Sequence, residues 1–270
     1  MVTNSRLVTI HPDSEKLKSD IGRIRTEISM LVLERDELLY VECRNLETAY
    51  MLAIGGLEYK AYEIECAILR MKRQVELLQA HINRQKKIDL PKIEETLNRE
   101  FAEYQAKMNE QIEKMNAALE YGRGKKLTDE ETRELKKLYL SIVRKLHPDL
   151  NPDSGKARIQ LFQNAVEAYK RGDLDGLRAI GVMVAAPDSP AGEPDGLSKL
   201  AGEKERLSQL LQTVKDRIAK IKIEYPYTVK SLVRNPEKVK ARQAEIDENI
   251  ARLNDTLAGY AAKVTEMTRL

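Results

Sequence analysis

Tryptophan is absent from this 270-residue chain, phenylalanine occurs twice, and all aromatic residues together make up 5% of it. With so few bulky rings to fill an interior, one thick compact core is not expected. Cysteine is nearly missing as well. Cys43 and Cys66 are too few for a disulfide framework and stand at no metal-ligand spacing, so a reducing compartment is the expectation. No N-terminal apolar run resembles a signal peptide, and no stretch approaches the ~18 uninterrupted apolar residues of a membrane span. Neither sign of charge dominates: 46 basic residues stand against 43 acidic ones, for a formal net charge of +3. That balance disfavours nucleic acid as a partner. Together these absences point to a cytoplasmic protein with no membrane association.

What the chain does contain is charge and helix-forming residues. The charged fraction is 33%, against about 25% for an average soluble domain, beside 42% hydrophobic residues. Glu, Lys, Arg, Leu and Ala in this mixture suit long helices with narrow apolar seams, so an all-α fold is expected, built from antiparallel helical hairpins or coiled coils.

Leu17, Ile21, Ile24, Ile28 and Leu31 recur at alternating steps of four and three, which predicts a first helix. From Tyr50 a second seam runs through Ile54, Leu57, Ala61, Ile64, Ile68, Met71, Val75, Leu78 and Ile82, in a shifted register. A stutter in one long helix or a turn could produce the shift. A turn near Val41 to Asn45 is preferred, because a folded hairpin gives each seam a local partner. Gly55 and Gly56 are the rival turn site; the seam passes through them in phase, so they read as tolerated helical residues. Pro91 suits the first turn of another helix, which carries Ile93, Leu97, Phe101, Tyr104, Met108, Met115 and Leu119 and stops at Gly122 and Gly124.

The expected organisation is consecutive: an N-terminal segment over 1–13, a three-helix coiled-coil bundle or arm over 14–124, a helical hairpin unit over 125–184, a linker over 185–196 and an antiparallel C-terminal hairpin over 197–270. The linker, "AAPDSPAGEPDG", concentrates Pro, Gly, Asp and Ser. The last hairpin has seams through Leu207, Leu211, Val214, Ile218 and Ile221, then through Val239, Ile246, Ile250, Leu253 and Leu257, broken between by Pro226 and Pro236.

The chemistry-bearing stretch is "LTDEETRELKKLYLSIVRKLHPDLNPDSGKARIQLFQNAVEAYKRG". Thr128 or Asp129 can cap a helix whose apolar stripe is Leu135, Leu138, Tyr139, Ile142 and Leu146, with Arg133, Lys137 and Arg144 almost opposite. Pro148 disfavours helical geometry at His147 and should leave His147 and Asp149 on a solvated loop. The next helix presents Ile159, Phe162, Ala165, Val166 and Tyr169 on one face. Spacing alone thus predicts two antiparallel helices with His-Pro-Asp at their tip.

Those residues carry a resemblance. The pattern E-L-K-K-L-Y-x5-K-L-H-P-D-x-N-P, followed by L-F-x5-A-Y, resembles helices two and three of the J domain of DnaJ-type co-chaperones over about Leu127 to Ile180. The resemblance implies that His147, Pro148 and Asp149 engage a DnaK-type chaperone ATPase and stimulate its ATP hydrolysis. It implies that basic positions of the second helix, Lys136, Lys137, Arg144 and Lys145, help to dock that partner. It also implies that Tyr139, Phe162, Ala168 and Tyr169 belong to the J-domain core. The family's Tyr-rich first helix is not recognisable before Leu127, and the helix starting at Pro91 is its nearest candidate. Leu140 and Ser141 stand where the family often has basic residues, and the Gly/Phe-rich linker and zinc module of full DnaJ proteins are absent.

A second His-Pro-Asp at His11, Pro12 and Asp13 has only ten residues before it and reads as a helix cap. His81 has no Cys, His or carboxylate at helical metal spacing. No nucleophile, base or metal cluster supports an enzyme, and no cofactor is expected. Coiled coils would bind a client, another partner or a second copy of the chain. The competing reading is a coiled-coil scaffold in which the J-like hairpin is purely structural.

Overall fold

A computed structural model describes residues 12–85, 87–123, 127–184 and 197–269. Among them every regular element is helical, so the fold class is all-α. His11 and the 185–196 linker lie outside the described residues; Pro12 and Asp13 open the first helix.

The expected turn between Val41 and Asn45 does not occur. Helix α1 (Pro12–Glu37) passes through a π turn at Leu38–Glu42 into α2 (Cys43–Tyr50), and through a second π turn at Met51–Gly55 into α3 (Gly56–Asn83). Each π turn inserts a residue into the usual helical spacing and rotates the seam beyond it. The shifted register therefore has its origin in the π turns, with backbone angles staying helical at their flanks. Gly55 has a specific use there. A Cβ on it would stand 2.8 Å from the Met51 sulfur and 3.3 Å from the Met115 methyl, so its missing side chain admits the helix carrying Met115.

The chain forms two compact units that interleave along the sequence instead of following one another. Unit 1 comprises the described residues of Met1–Arg44 and Lys125–Tyr227, and unit 2 those of Asn45–Gly124 and Thr228–Leu270.

In unit 2, α3 packs antiparallel against α4 (Leu90–Glu100) and α5 (Ala102–Arg123), which part at Phe101. Asp89 caps α4 by accepting from the Lys92 amide, and Pro91 sits in its first turn. Helix α11 (Pro236–Thr268) runs parallel to α3. Arg242 pairs with Glu58 near one end, while Tyr260, Val264 and Met267 pack with Val75 and Leu78 at the other.

In unit 1, α6 (Asp129–Leu146), α7 (Lys156–Arg171) and α8 (Leu174–Val184) form a three-helix cluster on α1. Helix α9 (Leu197–Ile223) also packs on α1. Its direction follows from three ion pairs whose numbers rise together: Asp20 with Lys204, Glu27 with Lys215, and Glu34 with Lys222. The two helices are parallel. Exposed pairs of this sort contribute little stability but penalise other registers. Adhesion comes from the buried row of Ile21, Ile24, Ile28 and Val32 against Leu200, Leu207, Val214 and Ile218.

The expected antiparallel hairpin over 197–270 is therefore corrected. Helix α9 belongs to unit 1 and α11 to unit 2, and each has a parallel partner from the N-terminal helical stretch. Between α9 and α11 lie a 3-10 turn at Tyr227–Val229 and the short α10 (Lys230–Val233).

Candidate functional site

The His-Pro-Asp turn is built from both sides by local sequence. Thr128 caps α6 with a complete capping box: its hydroxyl accepts from the Glu131 amide, and the Glu131 carboxylate accepts from the Thr128 amide. At the other end His147 leaves helical geometry, with ψ at 123°, as required of a residue before Pro148. Gly172 ends α7 in the left-handed region, φ 68°, where its lack of a side chain avoids strain.

Helices α6 and α7 are antiparallel. Tyr139 stacks on Tyr169 with ring centroids 4.2 Å apart, and the His147 ring meets Phe162 edge-on at 5.0 Å. Leu135, Tyr139, Ile142, Leu146, Phe162, Ala165, Ala168 and Tyr169 are buried; Leu138 is half-buried against them.

The turn departs from the solvated loop expected of it. His147 is buried, with 6% of its surface exposed, Pro148 is half-buried, and only Asp149 is open to solvent. The imidazole is held because its Nδ1 accepts from the Asp149 amide at 3.2 Å while its ring packs in a T-shaped contact with Phe162. The His147 carbonyl accepts from the Leu150 and Asn151 amides and from the Asn151 side chain. Thus His147 organises the turn and Asp149 projects from it, its carboxylate in no hydrogen bond or ion pair among the described residues.

Burial, opposed by the negative charge of Asp149, lowers the His147 pKa below the ordinary histidine value. The nearby Arg35 charge lowers it further and Asp36 opposes that. Because the unfolded state then binds the proton more readily, stability is present near neutrality and declines as pH falls from the unfolded histidine value toward the folded one. Melting temperatures measured from pH 7.5 to 5 should drop more for wild type than for His147→Gln. Parallel curves would mean that the imidazole does not carry this dependence.

The cations implied by the resemblance separate into two groups. Arg133, Lys137 and Arg144 are exposed and form no ion pair among the described residues, making an open basic stripe along α6. Lys136 and Lys145 turn inward: Lys136 pairs with Glu37 of α1, and Lys145 donates to the Val184 carbonyl at the end of α8 at 3.2 Å. These two lysines join helices within the unit. A fork from Arg178 of α8 to both oxygens of Glu134 adds another join.

Beneath the turn lies a polar group that the sequence reading did not identify. Asp36 of α1 is fully buried; it accepts from the Arg35 side chain at 2.7 Å and from the Tyr139 hydroxyl at 2.6 Å. Burial and the adjacent Asp36 charge push the Tyr139 pKa up, so the phenol remains a proton donor. The signal was present: Asp36 extends the Ile24, Ile28, Val32 row by one further step of four, a carboxylate at an apolar position. The neighbouring Tyr169 hydroxyl is buried without a partner. Tyr169→Phe removes that unsatisfied group and keeps the ring stack, so it should stabilise unit 1 by about 1 kcal/mol, read from urea unfolding curves. A loss of stability would show that the hydroxyl is satisfied.

The helix from Pro91 does not serve as a first J helix: α4 and α5 belong to unit 2, whereas α1 packs on α6 in unit 1. No group of three or more potential metal ligands and no helix long and apolar enough to cross a membrane occurs among the described residues. Compared with protein-family models, curated proteins and solved structures, the chain matches none.

Proposed function

We propose that the chain is a J-domain-like co-chaperone whose α6–α7 hairpin docks a DnaK-type chaperone ATPase and stimulates its ATP hydrolysis. The observation that carries this reading is the exposed Asp149, whose carboxylate has no hydrogen bond or ion pair among the described residues, at the hairpin tip beside the open stripe of Arg133, Lys137 and Arg144. The stripe would steer an acidic surface toward the hairpin, and Asp149 would supply the specific contact. His147 and Pro148 fix the turn. The remaining helices would carry a client or partner, and the protein would act without a cofactor or catalytic group of its own, in the cytoplasm.

The burial of His147 favours a second reading, in which the tripeptide is a helix stop and the hairpin a structural part of a helical scaffold. Single-turnover ATP hydrolysis by a DnaK-type chaperone separates the two. Asp149→Asn is the informative variant, since it spares the imidazole packing. Stimulation by wild type that falls at least about tenfold in the variant, the loss of one charged contact, supports docking. No stimulation by the folded wild-type protein selects the scaffold.

A further inference from the structure

Asp149 is held by its backbone from two sides. Its amide donates to His147, and its carbonyl accepts from Arg206 of α9 at 2.9 Å. Arg206 is itself fixed by Glu203 one turn earlier: Nε reaches one carboxylate oxygen at 2.8 Å and a terminal nitrogen the other at 3.0 Å. Glu203 also accepts from Arg25 of α1 at 3.0 Å. Two guanidinium groups therefore share one carboxylate, whose pKa they hold below the ordinary glutamate value despite partial burial.

This relay, Arg25 to Glu203 to Arg206 to the Asp149 carbonyl, reaches across 57 residues of sequence from the turn to α9. Hydrogen bonds from a charged donor are about twice as strong as neutral ones, and this one acts on the residue whose side chain faces solvent.

We infer that Arg206 is a positioning residue for Asp149, and that seating of α9 on α1 thereby sets how well the hairpin tip engages its partner. The inference rests on the co-chaperone reading for its consequence, although the clamp itself can be measured without any partner. It makes α9 a control element: whatever lifts α9 from α1 withdraws the guanidinium from the turn. The mechanism is order in the backbone, since the hydrogen bond goes to the carbonyl and leaves the carboxylate to the partner.

Amide hydrogen exchange in the full-length protein tests the clamp directly. In Arg206→Ala, exchange at Asp149, Leu150 and Asn151 should accelerate about tenfold, the loss of one charge-assisted bond, with exchange in the α6 core unchanged. Glu203→Gln should give a smaller acceleration at the same amides, and Arg206→Lys should restore part of the protection. A purely structural role would instead raise exchange throughout unit 1. Equal exchange in wild type and Arg206→Ala overturns the inference.

Titration with a DnaK-type chaperone supplies the second arm. Arg206→Ala should weaken binding several-fold, while Asp149→Asn abolishes it without disturbing exchange in the turn. Faster exchange with unchanged affinity would refute the positioning role. If wild type itself fails to bind, the co-chaperone reading falls, and the exchange data still decide whether Arg206 clamps the turn.

Discussion

Asp36→Ala is expected to destabilise unit 1 by about 3–5 kcal/mol, because removing one member of a buried ionic group leaves its partner charged and uncompensated. Asp36 is fully buried, and Arg35, which donates to it, is largely so. The same change strips the Tyr139 hydroxyl of its acceptor, beside a Tyr169 hydroxyl that already lacks one among the described residues. A typical domain has only about 5–15 kcal/mol of total stability, so the α6–α7 hairpin should lose its fixed packing in much of the population. Urea unfolding followed by near-ultraviolet dichroism of the tyrosines would measure this. Asp36→Asn should cost less than alanine, since the amide oxygen can still accept from Tyr139. A cost below ~1 kcal/mol for alanine would show that the buried group is dispensable.

Leu207→Ala should cost about 2–5 kcal/mol, the usual range for emptying a fully buried leucine site. Its value lies in where the damage appears. Leu207 packs in the core formed with α1 and the α6–α8 cluster, and the chain partner expected from sequence order, α11, belongs to the other unit. Faster amide exchange should therefore spread through α1 and α9 while α3 and α11 keep their protection. Equal loss of protection in α9 and α11 would restore the simple C-terminal hairpin and contradict the interleaved arrangement.

Local features were legible in the residues. Alternating steps of three and four predicted helices throughout, Thr128 or Asp129 marked the start of α6, where the structure selects Thr128 with Glu131, and Pro148 set its end; these depend on neighbours within one or two turns. The antiparallel approach of α6 and α7 was equally readable, because a short turn leaves two amphipathic helices little choice but to fold back on each other. Even the register shift between Leu38 and Tyr50 was visible in the spacing. Its cause was not, because a π turn and a chain reversal both displace a hydrophobic stripe and differ only in backbone hydrogen bonding.

Pairing between distant helices lay beyond the sequence pattern for a related reason. A heptad-like seam states that a helix needs a partner without stating which one, and the seams of α1, α3, α9 and α11 are chemically alike. Only the folded chain selected α9 for α1 and α11 for α3, both parallel, with ion pairs between residues 184 or 188 positions apart. The candidate site divides in the same way. His147, Pro148 and Asp149 could be read from their helical frame, but the burial of His147, the inward turn of Lys136 and Lys145, and the hold of Arg206 on Asp149 come from tertiary contact. Sequence determined the helices and the tip of the hairpin because those follow from local hydrogen bonding and apolar period; tertiary structure decided what surrounds that tip, because packing brings together groups that no local pattern connects.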